Sequence, residues 1–274
     1  MKKSLLYLLL FIAANVVGGV VAILLSNIEP LLNGAPIDTT GLTVDGRSIG
    51  VATFWAYVLL VALMAVLRLT PHWRTLLPRR GGWRAEISAL LAVVLLAYAL
   101  TFLLAPLNLS DGGMMAHFES MKTSVLCVCL ITVLGPLVEE LVFRAGVLHS
   151  LLQRRWHPLP AVLLTAAVFA IVHGNLMQAL PAFVSGTLLG VYYYRSGGLR
   201  LPLMAHILNN TLAALAMYFP WLEGYPAERT LAEQLTAGFL LLCASLLCVG
   251  RWWVLTAKST DEIDKYRNDE DRND

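Results

Sequence analysis

The chain has 274 residues, 58% of them hydrophobic and only 14% charged, with a formal net charge of +2. A soluble domain carries about 25% charged residues, so this composition, with a mean hydropathy of +0.68, excludes an ordinary soluble domain and points to the polytopic membrane class. The small net charge says little by itself, and no nucleic-acid partner is expected.

A membrane span needs about 20 mostly apolar residues. Eight stretches qualify, at about 4–26, 51–68, 86–106, 123–151, 159–174, 176–194, 201–219 and 232–256. They predict an all-α fold, a polytopic membrane helix bundle with about eight spanning helices. The first stretch follows Met1-Lys2-Lys3. It is longer than the apolar region of a signal peptide, about 7–15 residues, and no A-x-A site closes it. It is therefore expected to remain as a spanning helix. The loop at 27–50 carries Pro30, Gly34, Pro36, Gly41 and Gly46, which predicts turns. Only His173-Gly174-Asn175 separates the fifth stretch from the sixth, which predicts a tight helical hairpin. The seventh begins after Ser196-Gly197-Gly198. From Asp261 to Asp274 there are seven acidic and three basic residues without apolar periodicity, the pattern of a solvated disordered tail. Four parts follow: membrane helices over 1–122, a helical core over 123–219, a last membrane helix over 220–257 and the acidic tail over 258–274.

Basic residues set the orientation. Lys2 and Lys3 precede the first span, and Arg68, Arg74, Arg79, Arg80 and Arg84 lie between the second and third. Arg154 and Arg155 follow the fourth, Arg195 and Arg200 flank the turn after the sixth, and Arg251 and Lys258 end the eighth. With eight spans all of these fall on one side. The opposite loops hold acidic residues such as Asp38, Asp45, Asp111 and Glu223. Both termini are expected in the cytoplasm, with the protein in the cell inner membrane. Tyr192-Tyr193-Tyr194 and Trp252-Trp253 read as interfacial aromatic belts, and His149 and His157 as interfacial residues. Cys127, Cys129, Cys243 and Cys248 lie in apolar runs without metal-ribbon or redox spacing, which predicts packing roles.

Three of the apolar stretches carry groups that a bilayer does not tolerate unpaired. They read Glu139-Glu140-Leu141-Val142-Phe143-Arg144, Phe169-Ala170-Ile171-Val172-His173 and His206-Ile207-Leu208-Asn209-Asn210. Each Glu or Arg at the bilayer centre costs roughly 2.5–3.5 kcal/mol on insertion scales. Such groups persist when they face the bundle interior and satisfy one another, so the default expectation is a functional site within the membrane. Pro136 precedes the Glu pair by one turn and bends the helix there, and neighbours must take up the carbonyl it frees. Glu140 and Arg144 are four apart and share a face. Glu139 is rotated by about 100° from Glu140 and has no local partner, which makes it the candidate general base. Phe169 lies one turn before His173, and Asn210 one turn after His206. One carboxylate, two imidazoles and a carboxamide can then converge from three helices. That set can activate a water, stabilise an oxyanion and protonate a leaving amine, the needs of peptide hydrolysis.

The ordered set E-E-x-x-x-R, F-x-x-x-H and H-x-x-x-N resembles the CPBP family of intramembrane proteases, also called the Abi or CAAX prenyl protease 2 family, which is similar to lysostaphin resistance protein A. The motifs are Glu139, Glu140 and Arg144, then Phe169 and His173, then His206 and Asn210, and the resemblance covers about residues 123–219. It implies a cone of spanning helices around a hydrated cavity open to the cytoplasm. It implies that Glu139 activates water with help from His173, that His206 and Asn210 stabilise the oxyanion, and that Glu140 and Arg144 hold the geometry. The implied partner is a membrane protein or lipid-modified peptide. The cofactor is either none or a divalent metal such as zinc, in which case His173, His206 and Glu139 would be its ligands; there is no H-E-x-x-H, and a metal-free glutamate mechanism is favoured.

Helix rise raises one difficulty. His206 lies six residues past Arg200, about 9 Å of rise, whereas Glu139 lies fifteen residues before Arg154, about 22 Å. Convergence requires the fourth helix to project into the cytoplasm or the seventh to start deeper. Two other functions use the same residues: a proton- or ion-coupled transporter, against which stands the lack of repeat symmetry, and a non-catalytic immunity or signalling protein of the same fold.

Overall fold

The computed structural model describes residues 2–28, 32–34, 44–70, 82–224 and 226–257. The acidic tail, half of the loop at 27–50 and the part of the basic connection holding Arg74, Arg79 and Arg80 lie outside the described residues. Those described form helices and turns, with no strand among them. In chain order the helices are α1 (Lys2–Ser26), α2 (Gly46–Val66), α3 (Gly82–Leu104), α4 (Met114–Met121), α5 (Val125–Gln153), α6 (Pro158–Ile171), α7 (Leu176–Ser196), α8 (Arg200–Tyr218) and α9 (Leu231–Ala257).

All eight expected stretches are helical, and six of them are long and apolar enough to cross a membrane: α1, α2, α3, α5, α7 and α9. The other two depart from simple spans because they carry the polar motifs. With 14 residues, α6 rises about 21 Å, short of the roughly 30 Å hydrocarbon core, so His173 at its end comes to lie within the bundle. Arg200, His206, Asn209 and Asn210 lower the hydropathy of α8. The eight-residue α4 lies in a segment read from sequence as loop.

Small residues allow close helix approach where lipid gives no hydrophobic drive. On α3 the buried side is Ala85, Ser88, Ala89, Ala92, Val93, Leu96, Ala99 and Phe102, and α9 lies along it. Ser88 Oγ donates to Cys248 O at 3.0 Å and Ser245 Oγ to Ala92 O at 2.8 Å. In the same way α1 packs on α2, where Gly18 faces Ala56. Cys127 is buried, with its thiol 2.8 Å from Gly46 O, in keeping with a packing role. Outward positions such as Leu5, Leu9, Val16, Phe239, Leu246 and Leu247 are exposed apolar side chains suited to lipid.

The aromatic runs were expected at the membrane interface, and here the structure differs. Tyr192 and Trp252 are both fully buried, with ring centroids 4.6 Å apart, and Tyr192 donates to Ala89 O. Tyr193 is buried too, with its hydroxyl 3.0 Å from Nδ1 of a half-buried His149. Only Tyr194 and Trp253 face outward. An amphipathic ring satisfies its polar atom as well on a neighbouring helix as on water.

Charged contacts gather several helix ends on one face. At the end of α7, Arg195 stacks 3.6 Å over Trp253 and bonds Thr256 Oγ1 near the end of α9. At the start of α8, Arg200 pairs with Glu86 near the start of α3 at 3.3 Å. These ends belong together in the alternation that the basic residues predict.

Candidate active site

The site is built on α5. Two π-helical segments, Leu130–Leu134 and Leu141–Leu148, flank the Glu pair. Such segments re-aim side chains within an otherwise regular helix and recur at functional sites. In the first, the Gly135 N–H pairs with Leu130 O, five residues back. Only glycine fits, because a Cβ on Gly135 would sit 2.7 Å from Leu130 O. Pro136 then contributes no N–H.

Glu140 is fully buried, and its Oε1 accepts from Arg144 Nη1 at 2.8 Å. The shared face expected from the spacing is present. Arg144 Nη2 donates to Gly186 O at 3.2 Å, and the guanidinium lies 4.7 Å from the centroid of the Phe169 ring. A desolvated cation thereby gains a carboxylate, a carbonyl and an aromatic face. The same Glu140 oxygen lies 2.8 Å from His206 Nδ1. A carboxylate oxygen accepts, so the proton in that contact sits on Nδ1.

Glu139 points elsewhere. Its side chain is 20% exposed, against 0% for Glu140, and its Oε2 is 3.5 Å from His206 Nε2. That is long for a direct hydrogen bond and is closed by a small motion of either side chain. His206 thus stands between the two adjacent carboxylates, one nitrogen toward each.

Phe169 ties His173 to this group. The His173 Nδ1 lies 2.7 Å from Phe169 O, so Nδ1–H donates to that carbonyl and Nε2 keeps its lone pair. The Phe169 ring meets His173 edge-on at 4.9 Å and His206 at 5.8 Å. Asn210, expected beside the oxyanion, directs Nδ2 to Ile131 O at 3.0 Å. Among the described residues, no group of three or more His, Cys, Asp and Glu side chains is arranged to hold a metal ion. The expected ligands His173, His206 and Glu139 do not form a metal-holding set in this arrangement.

The difference in rise between Glu139 and His206 is resolved by packing. The first half of α5, residues 130–140, lies against α8, while the second half packs on α1 and α6. So α5 runs on past the start of α8, and α1 and α6 cover the part that does so.

Two contributors were not foreseen. Gly186 of α7 offers its carbonyl to Arg144, and a Cβ there would lie 3.0 Å from Phe169 Cδ1. A glycine inside a span is the signal for such close approach. Tyr57 of α2 is half-buried and packs against the core cluster that contains Val138, Phe143 and Phe169. A single tyrosine in an apolar run gives no comparable signal.

The model of the family described as type II CAAX prenyl endopeptidase Rce1-like matches residues 121–212, which contain every motif residue named here. The "Uncharacterized 24.3 kDa protein" of Escherichia coli is 30% identical over 166 residues, covering 57% of this chain and 76% of that protein. The chain belongs to the Rce1-like (CPBP) family. A second relative, "Putative membrane peptidase YdiL" of Bacillus subtilis (strain 168), is 25% identical over 127 residues, 46% of this chain and 51% of that one. The chain thus spans about half the length of this second curated relative. No solved structure matches it. With six helices among the described residues fit to cross a bilayer, this Rce1-like chain is an integral, multi-pass membrane protein of a peptidase family.

Proposed function

We propose that this Rce1-like protein is an intramembrane endopeptidase that hydrolyses a peptide bond in a membrane-associated or lipid-modified substrate. The observation that carries this is the split between two neighbouring carboxylates. Glu140 is sealed and paired with Arg144, while Glu139 is reachable and has its Oε2 3.5 Å from His206 Nε2. Glu139 takes a proton from a water held between its carboxylate and an imidazole, and the hydroxide attacks the peptide carbonyl. His173, with Nε2 free to accept, assists in holding that water. His206, fixed through Nδ1 by Glu140, donates from Nε2–H in its imidazolium form to the carbonyl oxygen as charge develops there. The protonated Glu139 then returns its proton to the leaving amine. Arg144 and Phe169 act as the frame, the first neutralising Glu140 and the second separating the two imidazoles.

The basic residues at the helix ends support a reading in which both termini face the cytoplasm and the protein lies in the cell inner membrane. The substrate then reaches the site from the cytoplasmic side. The resemblance to CAAX endopeptidases favours a C-terminally lipidated peptide.

The test is cleavage of an internally quenched, C-terminally prenylated peptide by the full chain in proteoliposomes. Glu139→Gln is expected to lower cleavage at least about 100-fold, the scale of one general base, without lowering the unfolding temperature. Undiminished cleavage by Glu139→Gln overturns the proposal.

A further inference from the structure

The contact between Asn210 and Ile131 joins two features that the motif alone leaves unconnected. In the π-helical segment Leu130–Leu134, the Gly135 N–H reaches back to Leu130 O. The next carbonyl in that register is Ile131, and the residue that would serve it is Pro136, which has no N–H. A carbonyl left unpaired within a bilayer costs several kcal/mol. Asn210 Nδ2 occupies that place at 3.0 Å. Its orientation is supported from the other side, since Asn209 Nδ2 donates to Asn210 Oδ1 at 3.3 Å. The contact therefore runs from α8, one turn past His206, to α5, two turns before Glu139.

We infer that Asn210 is a positioning residue: with Pro136 it forms a stitch between α8 and α5 that sets the height of the Glu139–Glu140 pair against His206. It acts on the reaction through the α5 backbone, to which its amide is bonded at Ile131. The inference rests on the peptidase function proposed above. The geometry explains why a proline, a glycine and an asparagine distant in sequence are needed together. Gly135 permits the π register, Pro136 frees the carbonyl, and Asn210 binds it. The distances under control are the 2.8 Å from His206 Nδ1 to Glu140 and the 3.5 Å from His206 Nε2 to Glu139.

The stitch has a specific rescue. Pro136→Ala restores an N–H that can serve Ile131 O without Asn210. Wild type, Pro136→Ala, Asn210→Ala and the double variant are compared as full chains in proteoliposomes on the prenylated peptide, across pH. In the proline background Asn210→Ala is expected to lower kcat about 100-fold, the cost of misplacing a reacting group by about 1 Å. KM stays within about twofold, and the pH profile of kcat moves. In the Pro136→Ala background the loss on adding Asn210→Ala is expected to shrink to about 10-fold or less. An equal loss in both backgrounds, with an unmoved pH profile, overturns the inference and returns Asn210 to direct contact with the substrate. If Asn210→Ala fails to fold, recovery of folded protein by Pro136→Ala supports the stitch, and failure of both variants overturns it. If wild type does not cleave, or Glu139→Gln cleaves undiminished, the peptidase proposal has failed. Unfolding temperatures of the same four proteins then decide the stitch, coupled effects supporting it and additive effects overturning it.

Discussion

His206 Nδ1 lies 2.8 Å from the Glu140 oxygen that also accepts Arg144, so one buried atom fixes both the cation on its own helix and the imidazole of another. Two consecutive glutamates consequently take unlike parts. Glu140 holds the geometry, and Glu139 remains the reachable carboxylate. The substitutions Glu140→Gln and Glu139→Gln should therefore differ in kind. Removing the Glu140 charge leaves Arg144 buried without its carboxylate, a loss of about 3–5 kcal/mol for a broken buried pair. Thermal unfolding in detergent should show a large drop for Glu140→Gln and almost none for Glu139→Gln.

Arg144→Lys keeps the charge and loses the fork. An ammonium cannot reach both Glu140 Oε1 and Gly186 O while lying flat against Phe169. Cleavage is expected to fall about 10-fold or more, and the unfolding temperature to drop, because the desolvated cation keeps only part of its partner set. Equal activity for Lys and Arg at this position would show that charge alone suffices.

Part of this site is legible in the amino-acid order because it is local. The spacing of Glu140 and Arg144 places them on one helix face, and Phe169 and His173 are related in the same way. The contact of His206 with Glu140 is not local and follows from how α8 crosses α5. Asn210 was assigned by motif to the oxyanion, while its contact depends on a π register that hydrophobic periodicity does not encode. The Gly135-Pro136 pair marked the break without revealing which carbonyl it frees. Tyr192 and Trp252 were misread as belt residues because aromatic residues near helix ends serve membrane interfaces and interhelix packing alike. The short α4 was missed because eight residues give little periodicity to read.

Chelation gives a separate check. His173 Nδ1 is turned to Phe169 O and His206 Nδ1 to Glu140, and the described acidic and histidine side chains form no three-ligand cluster. Cleavage by the full chain should survive dialysis against a strong chelator, and metal analysis of the active protein should find less than one bound ion per chain. Loss of cleavage that is restored by zinc would require the ligands to regroup around an ion.

The N-terminus of α2 offers a pH-dependent test away from the site. Asp45 caps this helix, its Oδ1 accepting the Ser48 N–H at 2.9 Å and its Oδ2 the Ser48 hydroxyl at 2.6 Å. These bonds to Ser48, helped by Ser26, hold its carboxyl below the ordinary value of 3.8. A lowered native pKa means that the cap's contribution is fully present above that ordinary value and fades as pH falls through the native one. Asp45→Ala should cost about 1 kcal/mol at neutral pH, read as faster amide exchange in the first turn of α2. The difference from wild type should shrink once the pH drops below 3.8.

The seam between α1 and α5 can be tested by adding a single methyl group. Gly146 faces Tyr7, and a Cβ there would lie 2.7 Å from the ring. Tyr7 has little room to retreat, because it is buried and its hydroxyl donates to Leu69 O. Gly146→Ala gains helix propensity, about 1 kcal/mol at an open position. Overpacking a closed core costs about 1–3 kcal/mol, so the net effect should be destabilising. Tyr7→Leu in the same chain should relieve part of the penalty, since a smaller side chain clears the space at the expense of the Leu69 bond. A Gly146→Ala chain that unfolds at a higher temperature than wild type would mean that α1 is free to move away from α5.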